Sequence, residues 1–258
     1  MLFFSCCRDT VDTNPAADVD GDGNVMIADA TRLIDYLLSG TWDNEPDILS
    51  DGHEWVDLGL PSGTLWATCN LGATSPEDFG SYFAWGETMP KYSYSWSTCS
   101  LCNGTSTSLT KYCTNSIFGT VDNKAELDPE DDAAYVNWGL NWRMPTAEQQ
   151  HELYINCTSQ WMTVNGVNGY LMTGSHGNTL FLPAAGYYSG MSLYEESLDG
   201  VYWSRSLGSN GSFDPDDPDA GYDLGDDFSM YFYSDYWYDL SSNRRPEGLV
   251  VHPVRVSQ

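Results

Sequence analysis

The chain is poor in basic residues, with 10 Lys and Arg against 37 Asp and Glu and a formal charge of −27. A surface that acidic repels phosphate backbones and anionic lipid, so no nucleic-acid partner is expected. No run of about 20 apolar residues is present, so no helix spans a membrane. Catalytic signatures are equally scarce. His151-Glu152 lacks the second histidine of a zinc-protease motif, and neither a GxSxG elbow nor a glycine-rich phosphate loop occurs. The four histidines are scattered. The expectation is a protein without enzymatic chemistry. At 41% hydrophobic and 14% aromatic residues the chain can nevertheless bury a core, and 258 residues suffice for one large domain plus a small one.

The sharpest motif is DVDGDGNVMIAD at residues 18–29. Asp18, Asp20 and Asp22 fall at positions 1, 3 and 5 of a twelve-residue loop, Asn24 at position 7 and Asp29 at position 12. Gly23, at position 6, permits the sharp turn. Hard oxygen ligands at this spacing enclose Ca²⁺, which is the expected cofactor. Leu33, Ile34, Leu37 and Leu38 recur at helical spacing behind the loop, and Gly40 ends the helix. A calcium loop entering a helix, over residues 15–42, resembles one dockerin repeat. That resemblance implies cohesin as a partner, although dockerins usually pair two repeats. Before it, residues 1–14 contain Leu2-Phe3-Phe4-Ser5 ahead of Cys6, which resembles the end of a bacterial lipoprotein signal. Export is therefore expected, to the outer surface or beyond, with membrane contact only through a lipid anchor.

Residues 43–53 read as a polar linker, and the main domain as 54–258. Short runs such as WVDLGL, LWATCN, SYFAWG, TLFLPAAGYY, VYWSRS, SMYFYS and LVVHPVRV, punctuated by Gly, Asn, Ser and Pro, predict modest strands. One helix is expected over Asp128–Trp138, with Pro129 near its start. A second starts at Thr146, where Gln149 three residues on completes a capping box. The fold class is α+β. Cys99 and Cys102 have metal-knuckle spacing without a second pair, so a disulfide among Cys99, Cys102 and Cys113 is the better reading, with its connectivity open.

Four segments in this order carry a family resemblance: WVDLGLPSGTLWATCNLGA (55–73), YFAWGET (82–88), NWRMPTAEQQHEL (141–153) and RRPEGLVVHPVRV (244–256). They are similar to the bacterial major paralogous domain named after Fibrobacter. The resemblance implies a C-type-lectin-like fold related to the formylglycine-generating, sulfatase-modifying superfamily. His252 stands where the family's closing phrase has arginine. Those modifying enzymes carry catalytic cysteines near the C-terminal end, whereas here no cysteine follows Cys157, so their chemistry is not expected.

Variable proteins of diversity-generating retroelements also use this fold, rewriting surface positions near the C-terminal end. Here nine of the 17 tyrosines lie between residues 187 and 238. Apolar positions Phe181, Leu182, Pro183, Trp203, Met230, Phe232, Val250, Val251 and Val254 read as scaffold. Between them lie Tyr187, Tyr188, Met191, Tyr194, Glu195, Glu196, Asp199, Arg205, Tyr231, Tyr233, Asp235, Tyr236, Tyr238, Asp239 and Asn243, which read as ligand-contacting. Tyrosine beside short polar residues is paratope composition, and adenine-directed diversification of Asn codons produces this palette. Cross-strand tyrosine pairs also stabilise sheets by about 0.2–1 kcal/mol each. Within 228–238, Phe228, Met230 and Phe232 are expected to face inward, and Ser229, Tyr231 and Tyr233 outward. Ser234-Asp235 is expected to turn the chain, with Tyr236 and Tyr238 extending the outer face. The ligand expected is a protein or glycan on another cell or phage. Residues 212–227, with seven aspartates, are a further place for calcium.

Overall fold

A computed structural model of the chain describes residues 52–208 and 226–255; within strands, the side chains of residues 226–228, 238–240 and 242 also lie outside the description. The calcium loop with Asp18, Asp20, Asp22, Asn24 and Asp29, the segment around Cys6, and most of the acidic run 212–227 lie outside the described residues. The chain separates into two units, Met1–Gly52 and His53–Gln258.

The second unit is α+β and rich in sheet. Strands β1 (Trp55–Asp57), β2 (Leu65–Ala67), β4 (Trp142–Arg143) and β14 (Val254–Arg255) make a four-stranded sheet in the order β1-β2-β14-β4. A five-stranded sheet runs β12-β11-β10-β13-β3, from β12 (Tyr236–Arg244), β11 (Asp226–Tyr233), β10 (Asp199–Leu207), β13 (Leu249–Val250) and β3 (Tyr82–Phe83). Strands β5 (Thr158–Val164), β6 (Val167–Thr173) and β7 (Thr179–Pro183) form a third sheet, and β8 (Tyr187–Ser189) pairs with β9 (Ser192–Tyr194). The four segments that carry the family resemblance meet here. Val254 of the last segment pairs with Trp66 of the first and Arg143 of the third, and Leu249 pairs with Phe83 of the second.

The expected first helix is divided. A 3-10 turn, Pro129–Asp131, precedes α1 (Ala133–Trp138). Asp132 is the reason. Its buried carboxylate accepts the N–H groups of Ala134 and Tyr135, capping α1, and both of its oxygens also take the Met144 N–H. A side chain that gathers backbone donors this way starts a helix and cannot lie within one. Helix α2 (Ala147–Asn156) begins as expected: Thr146 Oγ1 accepts the Gln149 N–H at 3.1 Å, and Gln149 Oε1 accepts the Thr146 N–H at 2.9 Å.

Two apolar clusters lie on either side of the central strands. Trp66, Leu153, Leu182, Tyr202, Met230, Phe232, Val250 and Val254 belong to the first. Trp85, Trp142, Val201, Trp203, Leu249 and Val251 belong to the second. Tyr202 and Trp203 are neighbours on β10 yet enter different clusters, because alternate residues of a strand face opposite sides. The nine residues read as scaffold from the sequence are all buried. Cys99 and Cys102 form the disulfide, with Cα atoms 5.6 Å apart. Cys113 shares their small cluster with Leu109 and Phe118 but stays a thiol, donating to the Asn115 carbonyl.

His252 is fully buried, with Nε2 2.7 Å from the Ala67 carbonyl and Nδ1 2.7 Å from Asn70 Oδ1. Burial lowers its pKa to about 4, against the pull of the Ala67 carbonyl. The two oxygens would welcome a charged ring. Desolvation of a wholly enclosed imidazolium outweighs them. The folded state then holds fewer protons than the unfolded one below pH 6.5. Stability is complete above that pH and falls at up to about 1.4 kcal/mol per unit as pH drops towards 4. Urea unfolding of the wild type and His252→Gln checks this: the difference between them should shift across pH 6.5 to 4. A constant difference would mean that His252 is charged when folded.

Candidate functional site

The tyrosines occupy the side of the five-stranded sheet on which the second cluster stops. Val201 of β10 belongs to that cluster, and its cross-strand partner on β11 is Tyr231. One strand further out, Tyr231 stands opposite Tyr238 and Tyr233 opposite Tyr236. The face that is a core over β10 thus becomes tyrosine over β11 and β12. On the reverse side of the same hairpin, Met230 and Phe232 are fully buried and Trp237 is 9% exposed. Phe232 pairs with Trp237 in register, and their rings stack at 4.8 Å.

The hairpin turns at Ser234-Asp235, as the alternation requires. Tyr233 stacks on Tyr236 with centroids 6.0 Å apart, and meets Tyr231 edge-on at the same distance. Tyr236 is 47% exposed. For Tyr238 and Asp239 only the backbone, on β12, is described. Tyr231 Oη donates to Asp199 Oδ2 at 2.6 Å. Asp199 joins this group to a second one on the β8–β9 hairpin, where Tyr187 stacks on Tyr194 at 5.7 Å. Tyr187 has its hydroxyl pKa raised by partial burial and then by Glu247, Glu195, Tyr194 and Asp199. Burial and Asp199 raise Tyr231 in the same way, with smaller contributions from Tyr233 and Glu195.

Glu195 sits at φ +54°, a conformation that ordinary residues enter only under local constraint. Its carbonyl accepts the N–H groups of both Leu198 and Asp199 at 3.0 Å, which holds the bend. Glu247, absent from the expected set, is half-buried; burial raises its pKa, and Asn243 Nδ2 donates to it at 3.2 Å. Proximity to Tyr187 comes from the β8 backbone pairing with Gly248, a long-range contact with no local sequence signal.

Several expected residues are placed elsewhere. Ser229 is buried, not outward, and its hydroxyl donates to Asn243 Oδ1 at 2.8 Å. A register shift between Ser229 and Tyr231 separates its surroundings from those of the tyrosines. Asn243 is accordingly a half-buried connector between Ser229 and Glu247. Tyr188 turns away from Tyr187 and packs against the rings of Tyr82 and Tyr94 at 4.9 and 5.5 Å. Arg205 lies near the opposite end of β10, where its guanidinium pairs with Glu126 at 3.0 Å and donates to the Met144 carbonyl. Met191 is exposed at the tip of the β8–β9 hairpin, Glu196 is exposed behind Glu195, and Asp235 is exposed in the β11–β12 turn.

An acidic triad, Asp128, Glu130 and Asp131, converges to within 4.8 Å, but the Lys111 ammonium stands among its carboxylates, 2.7 Å from Asp128 and 2.5 Å from Asp131. Hydrogen bonds from Lys111 and Lys124 hold the Asp128 pKa down to about 2. His151 is exposed on α2, and Glu152 accepts both the N–H and the hydroxyl of Ser62. Burial pushes the half-buried Cys157 thiol up to about 11, far from a reactive thiolate. No protein-family model matches the chain, and no curated protein or solved structure matches it.

Proposed function

We propose that residues 54–258 form a C-type-lectin-like, non-enzymatic binding module that presents a tyrosine-rich face to a ligand on another cell or phage. The single observation that carries this reading is the segregation within one hairpin. Met230, Phe232 and Trp237 are buried, while Tyr231, Tyr233 and Tyr236 share the other side and continue through Asp199 to Tyr187 and Tyr194. Stability alone asks for the first set only. Aromatic pairing accounts for about 0.2–1 kcal/mol per cross-strand contact, which leaves the 46–47% exposure of Tyr194 and Tyr236 without a folding reason. The assembly of the four resemblance segments into shared strands supports the lectin-like scaffold. Export to the bacterial surface, and diversification of this face by a retroelement, belong to the same reading.

The test is binding to arrays of surface glycans and surface proteins. Tyr194→Ala combined with Tyr236→Ala should weaken an identified interaction by tenfold or more, about 1.4 kcal/mol, while lowering Tm by only a few degrees. Undiminished binding would sink the reading. A near-copy of the encoding 3′ end, differing at adenines, would establish diversification. The calcium-loop motif favours a second reading, a dockerin-type subunit that docks on cohesin. If EDTA abolishes the interaction and the tyrosine variants do not, that second reading replaces the first.

A further inference from the structure

We propose that the tyrosine face binds a protein partner through a lysine or arginine side chain seated among Tyr187, Tyr194, Tyr231, Glu195, Asp199 and Glu247. The inference rests on the binding role of this face and specifies its chemistry. The two stacked tyrosines, Tyr187 and Tyr194, offer ring faces whose quadrupole attracts cations. Chain geometry sets three carboxylates beside this stack: Glu195 directly follows Tyr194, Glu247 precedes Gly248, whose carbonyl accepts the Tyr188 N–H, and the Asp199 carbonyl accepts the Gly186 N–H. Glu247, Glu195 and Asp199 all act on Tyr187, and Asp199 and Glu195 act on Tyr231.

Two of the carboxylates are held in place before any ligand arrives: Asp199 accepts the Tyr231 hydroxyl at 2.6 Å, and Glu247 accepts from Asn243 Nδ2 at 3.2 Å. The Glu195 side chain is exposed next to Tyr194. Arg244, which also acts on Glu247, is exposed. Charge complementarity selects the same occupant at long range. A chain carrying −27 repels acidic surfaces and draws basic ones, and the local group then sets where a basic side chain comes to rest. A basic side chain adds a charge partner that a neutral glycan cannot offer.

The experiment uses the full chain and a fluorescein-labelled peptide of alternating lysine and serine, read by fluorescence anisotropy, with the lysine-acetylated peptide beside it. Glu195→Gln combined with Glu247→Gln keeps side-chain shape and is expected to weaken binding about tenfold. Glu54→Gln with Glu148→Gln removes the same charge from exposed sites elsewhere and should change it less than about twofold. Acetylation should abolish binding. Equal weakening by both glutamine pairs would mean bulk attraction and would overturn the inference, as would a wild type that fails to hold the peptide. If Tyr194→Ala with Tyr236→Ala weakens binding while the Glu195/Glu247 pair behaves as the control, the face binds without a cation pocket, and only this inference falls. Melting curves of each variant separate lost binding from lost folding.

Discussion

Phe232→Ala is expected to destabilise the second unit by about 3–5 kcal/mol and to lower its Tm on the order of 10 °C, whereas Tyr236→Ala costs about 1 kcal/mol or less. The two residues are four apart in one hairpin. Phe232 is fully buried, stacked on Trp237 at 4.8 Å and on Tyr202 at 5.7 Å, with Tyr170 edge-on at 5.3 Å. Truncation removes the ring that four other rings pack against, Trp161 at 6.4 Å among them. The resulting cavity cannot collapse easily, because the sheet backbone on one side is fixed by pairing to β10 and β12. Gly200 across β10 belongs to this arrangement. A Cβ there would lie 2.0 Å from the Phe232 ring, so Gly200 is what lets the ring cross the strand. Tyr236, 47% exposed, loses one stacked neighbour and little buried area. Urea unfolding of both variants checks the contrast. Comparable losses would mean that the tyrosine side is as structural as the phenylalanine side.

Arg245→Ala should be nearly as damaging, at about 3–5 kcal/mol. This guanidinium is 1% exposed. Its Nη1 donates to the Lys111 carbonyl at 3.0 Å and its Nη2 to the Tyr112 carbonyl at 2.7 Å, over the face of Trp85 at 5.0 Å. The Arg245 carbonyl in turn accepts the Trp85 N–H. One residue therefore ties the long excursion around residue 112 to the C-terminal strands. Alanine leaves a buried and a partly buried carbonyl without their charged donor. Arg245→Lys should recover only part of the loss, since an ammonium cannot span both carbonyls in the geometry of a planar fork. Thermal unfolding of both variants decides it; a cost below about 1 kcal/mol for alanine would show that the loop is held by other contacts.

Local chemistry made much of this domain legible in the sequence. Thr146 and Gln149 encode a capping box that closes on itself within one helical turn. The inward Met230 and Phe232 of β11 follow from a period of two, which holds from Met230 to Tyr233 but not at buried Ser229, and Ser234-Asp235 is where that alternation must reverse. The Asn165-Gly166 dipeptide carries an equally readable signal. Both residues take positive φ at the β5–β6 turn, so this hairpin was open to reading, although the strand runs singled out from the sequence omit it.

What the sequence by itself determined is therefore the local grammar: the α2 cap, the scaffold positions and the existence of an excess of tyrosine. Only the tertiary structure decided which tyrosines share a face. Tyr187 and Tyr188 are adjacent, but one joins the carboxylates and the other packs under Tyr94. Arg205 and Asp199 share β10, yet one is engaged near Met144 and the other by Tyr231. Glu247 reaches Tyr187 through strand pairing across some sixty residues. Side-chain alternation is a property of neighbours on one strand, whereas the end of a buried cluster is a property of where separate strands come together, and that boundary is what exposes the tyrosine face.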